Sequence, residues 1–178
     1  GSPVQLCLNG YNVTCLDNNV YSVFGTLGIY DCAETAGTVS GADTTNGGTF
    51  YVAANGALKL YGGVLTASST AQNGGVLYIA GSGTAQIYDG LITGGSASGY
   101  GGNICNYGTL QIYGGRVENG SCANGGNICN RGKMTMDDGL VEAPAKGINL
   151  LITNGTNTTI SGGTLQGSTT YNIRIWDS

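Results

Sequence analysis

Tyrosine recurs at one position of a short repeated pattern, and a column of such tyrosines could bind a sugar. The pattern places apolar residues at alternate positions before a turn, as in GTAQIYDG (83–90) and GTLQIYGG (108–115). The candidate ligand-binding residues are these tyrosines and the long polar residues two positions before them: Tyr30, Tyr61, Tyr88, Tyr113, Lys59, Gln86 and Gln111. A ring can cover the C–H face of a sugar while neighbouring amides bond its hydroxyls. The alternative is structural, because tyrosine is favoured on sheet surfaces and stacks on its in-register neighbour.

Three aspartates near the same turns could instead cleave a glycosidic bond. Such chemistry needs two carboxylates roughly 5–10 Å apart. Asp137 and Asp138 are sequence neighbours and would face opposite ways in a strand. Asp89 and Asp138 share a column two coils apart, about 10 Å, and Arg131 and Lys133 are close to Asp137 in the sequence. We expect these aspartates to be solvated surface charges, and they are catalytic candidates only if the protein is an enzyme.

The six cysteines predict one disulfide candidate but no metal site. Cys105 and Cys129 occupy the same column of consecutive repeats, and neighbouring strands lie about 4.8 Å apart, within the Cα range that a disulfide tolerates. Two adjacent free thiols are the alternative. The chain has no histidine and no Cys-x-x-Cys spacing, so we expect neither a bound metal nor another cofactor.

The composition excludes several classes of protein. Glycine accounts for 34 of 178 residues, and charged residues make up only 9%. Glycine has no three-residue period, which excludes collagen, and 40% hydrophobic residues exclude a highly charged disordered chain. The net charge of −4 argues against nucleic-acid binding. No apolar run approaches the length of a membrane span, so we expect no membrane insertion.

The repeat of about 24 residues predicts the elements that carry these side chains. Within each repeat the apolar residues alternate with a period of two, which indicates strands. One inward column contains Ile87, Ile112 and Met136, and two further columns belong to a second and a third strand. We align the first, degenerate copy so that Asn9 is equivalent to Tyr30. Three short strands per repeat without helices predict an all-β, single-stranded, right-handed parallel β-helix (solenoid) of about seven coils, with a β-sandwich as the alternative.

The predicted domain covers residues 3–178. Residues 1–2 are expected to be the remnant of a removed tag, and the domain is expected to be a fragment of a longer protein. The last segment, YNIRIWDS (171–178), is expected to form a partial further coil with Ile173 and Ile175 inward and Trp176 as a cap.

Several lines of the sequence resemble a known kind of module. VQLCLNGYNVTC, GTLGIYDC, NGGNICNYGTLQIYGGRVENG and NGGNICNRGKMTMDDGLVEA resemble right-handed parallel β-helix modules of large secreted or surface-anchored proteins of Gram-positive gut bacteria. The chain is also similar to the pectin-lyase-like superfamily.

This resemblance implies an extracellular or cell-surface location. It also implies a non-catalytic, adhesin-like module whose partner is a polysaccharide, a host glycan or a host surface protein. The alternatives are a polysaccharide lyase or glycosidase of the pectin-lyase-like superfamily, which would use Asp89, Asp137 and Asp138, and a purely structural stalk.

Overall fold

The structure is a computed structural model, and it describes residues 2–16, 20–67, 69–142, 144–153 and 156–176. Gly1 of the expected tag remnant and residues 177–178 of the predicted domain lie outside the described residues. Within the described residues there are strands and turns but no helix. No helix of that part of the chain is therefore long and apolar enough to cross a membrane.

The strands form three seven-stranded sheets, one strand of each sheet per coil. In chain order the strands are β1 (Val4–Cys7), β2 (Val13–Thr14), β3 (Tyr21–Val23), β4 (Thr26–Tyr30), β5 (Thr38–Gly41), β6 (Phe50–Val52), β7 (Ala57–Leu60), β8 (Val64–Ala67), β9 (Thr70–Asn73), β10 (Leu77–Ile79), β11 (Thr84–Ile87), β12 (Leu91–Thr93), β13 (Ser96–Tyr100), β14 (Ile104–Asn106), β15 (Thr109–Ile112), β16 (Arg116–Glu118), β17 (Ile128–Asn130), β18 (Lys133–Met136), β19 (Leu140–Glu142), β20 (Leu150–Thr153), β21 (Thr158–Ile160), β22 (Thr164–Gln166) and β23 (Ile173–Trp176).

Strands of successive coils pair in parallel, which confirms the parallel β-helix of about seven coils. Sheet A has the order β1-β4-β7-β11-β15-β18-β21, and sheet B the order β2-β5-β8-β12-β16-β19-β22. Sheet C has the order β3-β6-β10-β14-β17-β20-β23. A small parallel sheet of β9 and β13, which the sequence analysis did not predict, adds a fourth strand to two coils.

The core is a stack of aliphatic side chains along the axis, as the alternation predicts. Ile87 pairs with Ile112 and Ile112 with Met136, and all three are at most 2% exposed. The columns of sheets B and C are equally aligned, for example at Ile92 and Val117. This coil-by-coil register excludes the sandwich, whose sheets do not require equivalent residues at each level.

Glycine makes the tight corners before the sheet C strands possible. Gly101 has a φ of +64°, and a Cβ placed there would lie 2.0 Å from the carbonyl oxygen of Ile104. The following Gly102 would place a Cβ 2.0 Å from the carbonyl oxygen of Gly126 in the next coil. These corners therefore require glycine, because any side chain would collide with the backbone.

The first coil differs from the sequence-based expectation. In the first coil Cys7, not Asn9, pairs with Tyr30, so the predicted alignment is wrong by two residues. Asn9 instead lies in the following turn with a φ of +47°.

In the last coil Ile173 and Ile175 pair with Leu150 and Ile152 and so continue the inward column of sheet C, although they are 42% and 75% exposed. The Trp176 ring lies against the guanidinium of Arg174, 5.5 Å from the ring centroid, and its role as a cap stays a prediction.

Candidate functional site

The four predicted tyrosines form one continuous stack at the corner that follows the sheet A strands, which we call the tyrosine ladder (Tyr30, Tyr61, Tyr88 and Tyr113). Successive ring centroids are 4.5, 4.7 and 4.9 Å apart, and the ring planes are within 17° of parallel. All four side chains are half-buried. The sequence analysis thus predicts the register of this stack correctly.

Stacking limits how a ligand can reach the tyrosine ladder. Both faces of Tyr61 and Tyr88 are covered by neighbouring rings, so the expectation that each ring face meets a sugar is wrong for these two. Their ring edges and hydroxyls remain accessible. Burial, followed by the neighbouring phenols Tyr61 and Tyr113, raises the pKa of Tyr88. Its hydroxyl therefore keeps its proton at neutral pH and can donate a hydrogen bond.

The polar column beside the tyrosine ladder is also aligned. Lys59 pairs with Gln86, and Gln86 with Gln111. The Gln86 Nε2 donates a hydrogen bond of 2.9 Å to Gln111 Oε1, so these two amides satisfy one another in part. Lys59 forms no ion pair with any residue that the structure describes, and its charge is available to a ligand.

A notch of about 330 Å³ opens where this column reaches the first coils, and we call it the Gly28 notch. Gln5, Gly28 and Lys59 are in register across β1, β4 and β7, so a residue without a side chain separates two long polar ones. Its lining residues are Pro3, Gln5, Thr26, Gly28, Tyr30, Lys59 and Tyr61. The notch therefore combines a free cation, an amide and the end of the tyrosine ladder.

Gln5 is absent from the residues predicted for this column, because the predicted alignment of the first repeat is wrong by two residues. With Cys7 equivalent to Tyr30, Gln5 falls into the column of Lys59. Gly28 was visible as the one glycine in a column of Lys59, Gln86 and Gln111, and that gap was the available signal for a depression in the surface.

The three aspartates are exposed at corners and do not converge. Asp89 and Asp138 each accept a hydrogen bond of 2.7 Å from the backbone N–H of the next residue, a glycine. Asp137 accepts a hydrogen bond of 2.6 Å from Ser161 Oγ. Arg131, which the sequence places close to Asp137, instead lies over the rings of other residues. This arrangement stabilises turns, and none of these aspartates forms an ion pair among the described residues.

Arg131 belongs to a second aromatic group, on the outer side of sheet C. Its guanidinium lies 4.6 Å from the ring centroid of Tyr100 and 5.3 Å from that of Tyr107. Tyr78 stacks on Tyr51, and Tyr107 lies against Tyr78 with its ring tilted by 37°, both at centroid distances of 5.5 Å. Burial, followed by charge effects of neighbouring thiols and phenols, raises the pKa of Tyr78 to about 12. The Arg131 guanidinium already lies against two tyrosine rings, so its charge is less available to a ligand than that of Lys59.

Cys105 and Cys129 lie where the sequence predicts them. They pair in register in β14 and β17 and are both fully buried. A hydrogen bond with Cys129 and then burial raise the pKa of Cys105 well above its usual range. All six cysteines carry free thiols in the structure, and a disulfide between Cys105 and Cys129 stays a prediction.

A file of asparagines, buried at Asn103, Asn127 and Asn149 and exposed at Asn172, runs through the second half of the solenoid, and the sequence-based expectations did not include it. We call it the asparagine ladder: Asn103, Asn127, Asn149 and Asn172. Each Nδ2 donates to the next Oδ1 at 2.9, 2.7 and 2.9 Å. Each of the first three also donates, at 2.6–2.9 Å, to the backbone carbonyl of the last residue of the sheet B strand that follows it in the chain. The repeated GGN of the two GGNIC segments was the signal in the sequence.

The asparagine ladder is a structural feature, because its amides bond one another and the backbone. A shorter second file links Asn106 Nδ2 to Asn130 Oδ1 at 2.7 Å and Asn130 Nδ2 to Thr158 Oγ1 at 2.8 Å. Among the described residues, the buried Asn106 Oδ1 has no hydrogen-bond partner.

In the part of the chain that the structure describes, no three His, Cys, Asp or Glu side chains are grouped so as to hold a metal ion. Comparison with protein-family models, with curated proteins and with solved structures finds no match to this chain. The chain is a parallel β-solenoid of about seven coils, and the tyrosine ladder with the Gly28 notch is its candidate binding surface.

Proposed function

We propose that this protein is a non-catalytic extracellular or cell-surface module that binds a polysaccharide or host glycan along the outer face of sheet A and its tyrosine corner. The resemblance of its repeats to β-helix modules of large secreted proteins of Gram-positive gut bacteria supports this location. Its role would be adhesin-like, with the solenoid as a rigid support for one binding face.

The Gly28 notch carries this proposal. It is a depression of about 330 Å³ that places Lys59, Gln5 and Tyr30 around a floor without a side chain. Lys59 and Gln5 can donate hydrogen bonds to hydroxyl, carbonyl or carboxylate oxygens of a sugar. Sugar-binding sites combine such donors with an aromatic wall, which Tyr30 and Tyr61 supply here.

The tyrosine ladder extends the proposed binding surface from the notch over the following coils. Its hydroxyls and ring edges recur at each coil, at a spacing close to that of the ring centroids, 4.5–4.9 Å. Weak contacts that repeat along one chain add through multivalency, since each bound unit raises the effective concentration of the next.

Filling the notch tests the proposal. Gly28→Gln introduces the side chain that Gln86 and Gln111 carry at equivalent positions, and each of these is followed by a ladder tyrosine two residues later. The backbone of Gly28 is not in the left-handed region, and its Cβ would meet only the movable ring of Tyr30, at 3.0 Å. The variant should therefore fold.

The matched control is Thr135→Gln, which adds the same side chain to the same column in β18, away from the notch. On a glycan array that includes pectin and mucin, wild type and Thr135→Gln should bind the same glycans, and Gly28→Gln should bind them at least about tenfold more weakly. Equal binding by Gly28→Gln would overturn the placement of the site, with circular dichroism as the check on folding.

A structural stalk is the second candidate function, and the covered ring faces favour it. Stacking alone stabilises neighbouring coils, so the tyrosine ladder has a use even without a ligand. If wild type binds no glycan on the array, the stalk replaces the binding module. Release of reducing ends from pectin or mucin would instead support the lyase or glycosidase alternative.

A further inference from the structure

Two cysteines that the predicted disulfide does not involve lie next to each other on the surface of the first two coils. The Cys7 thiol donates a hydrogen bond to Cys32 Sγ across a distance of 3.6 Å. Both side chains are exposed. Cys7 is the last residue of β1 and pairs with Tyr30, so Cys32 lies just past the equivalent position in the second coil.

The environment of this pair differs from that of the other cysteines. Cys105, Cys122 and Cys129 are buried, so a dissolved reagent cannot reach them without local opening. Cys122 also donates a hydrogen bond of 3.2 Å to the carbonyl oxygen of Gly99. Cys15 is partly exposed and is the remaining competitor. Accessibility and thiolate formation control cysteine reactivity, and accessibility alone separates Cys7 and Cys32 from the buried thiols.

We propose that Cys7 and Cys32 form a reversible disulfide that fastens the first coil of the solenoid to the second. A disulfide needs an S–S distance of about 2.05 Å, so the two sulfurs must approach by about 1.5 Å from their present 3.6 Å. Both side chains are exposed, Cys32 lies in the turn after β4, and β1 pairs on one side only, with β4.

The oxidant is a small-molecule disulfide, and the reaction is thiol–disulfide exchange. One deprotonated cysteine attacks a sulfur of the reagent, forms a mixed disulfide and displaces one small thiolate, which takes up a proton. The second cysteine, as its thiolate, then attacks the protein-bound sulfur and displaces the other small thiolate. The two protein thiols lose two hydrogen atoms in total, and the reagent is reduced to two thiols.

The bond would act on a mostly exposed edge strand of sheet A. Val4, Gln5 and Cys7 of β1 are exposed, and only Leu6 is half-buried, so hydrophobic burial contributes little to holding this strand. A covalent link between the first two coils limits its opening. Because β1 also carries Gln5 of the Gly28 notch, the oxidised form would hold that wall of the notch in place; this last step alone rests on the proposed function.

The test uses the full wild-type chain treated with oxidised glutathione under native conditions. Digestion at aspartates and aromatic residues separates Cys7, Cys15 and Cys32 onto different peptides. Mass spectrometry should then find the Cys7 peptide linked to the Cys32 peptide, with the loss of two hydrogen atoms. Amide hydrogen exchange of β1 should slow by at least about tenfold in the oxidised protein and recover after reduction.

Two variants sharpen the result. Cys15→Ser should form the same link, whereas Cys32→Ser should retain glutathione as a mixed disulfide on Cys7. A first link between Cys105 and Cys129, a link that involves Cys15, or unchanged thiol content after oxidation would overturn the proposal. None of these readouts depends on glycan binding, so the proposed function can fail without affecting this test.

Discussion

Replacing the central residue of the asparagine ladder should destabilise the protein more than replacing its first residue. In Asn127→Val the side chain keeps a similar volume, but four hydrogen bonds are lost. They join Asn127 to Asn103 Nδ2 at 2.9 Å, to Asn149 Oδ1 at 2.7 Å, to the N–H of Gly120 at 2.9 Å and to the carbonyl of Glu142 at 2.9 Å.

The size of the effect follows from the partners that remain. Leaving a buried donor or acceptor unpaired costs about 1–3 kcal/mol. Asn103 Nδ2 keeps its bond to Glu118, whereas Asn149 Oδ1 and the Gly120 N–H each lose the bond to Asn127. For these two groups we therefore expect Asn127→Val to lower the free energy of unfolding by about 2–6 kcal/mol, a large part of the roughly 5–15 kcal/mol of a typical domain.

Asn103→Val is the matched comparison. Asn103 has three such bonds instead of four, and Val76 already occupies the equivalent position of the preceding coil, where it is fully buried. Its cost should be smaller by about 1 kcal/mol or more.

Urea unfolding followed by circular dichroism measures both variants and the double variant. Because the two amides bond each other, the double variant should cost at least about 0.5 kcal/mol less than the sum of the single costs. A cost below about 1 kcal/mol for Asn127→Val, or strict additivity, would refute the view that the ladder is an energetically connected network.

Three further predictions concern the core, the corners and the second aromatic group. Ile112 is fully buried, so Ile112→Ala should lower the free energy of unfolding in urea by about 2–5 kcal/mol. Ile160 lies in the same column near the C-terminal end and is 38% exposed, so Ile160→Ala should lower it by less than about 2 kcal/mol. Equal losses of stability would contradict the assignment of the core. Gly101 has a positive φ and a carbonyl close to its Cβ position, so Gly101→Ala should lower the thermal midpoint and reduce the free energy of unfolding by more than about 1 kcal/mol. Nothing lies within 4 Å of a Cβ at Gly81, so Gly81→Ala should change the free energy of unfolding by less than about 0.5 kcal/mol. The pKa of Tyr78 rises from 10.0 to about 12 on folding, so this phenol holds its proton more tightly in the folded state. Its stabilising contribution is therefore complete below pH 10 and is lost as the pH rises to about 12. Between pH 9 and pH 11 the urea midpoint should fall less in Tyr78→Phe than in wild type, and an identical fall would contradict this.

The sequence predicts the columns of this fold well because burial on one face enforces a period of two. A shift of one residue would turn Ile112 or Val117 outward, so the apolar alternation determines the register wherever a strand is buried. A shift of two residues, however, keeps the same face inward, and Val4, Leu6 and Leu8 of the first copy are all apolar, so alternation does not distinguish the two alignments there. The predicted alignment is wrong by two residues there, so it does not place Gln5 beside Gly28 and does not predict the Gly28 notch.

Side-chain contacts between coils were harder to predict than register. The tyrosine column follows from spacing, but whether Tyr61 offers its face or its edge depends on ring orientation, which spacing does not specify. Asparagine is common in turns, so its type alone does not indicate that Asn103 and Asn127 are buried. They are buried because the tight GG corners turn the next side chain inward. Burying an amide is costly unless it is hydrogen-bonded, so this burial depends on a hydrogen-bonding partner in the next coil.

The asparagine ladder has a consequence for how such a protein can change its length over evolution. Asn103 and Asn127 are separated by 24 residues and have similar surroundings. A gene duplication of one whole 24-residue unit would insert an amide that finds an identical donor on one side and an identical acceptor on the other. The next two steps of the ladder span 22 and 23 residues, so a coil can differ slightly in length if it still places one asparagine at this position. The genetic step that this architecture accepts most readily is therefore the copying of a complete coil.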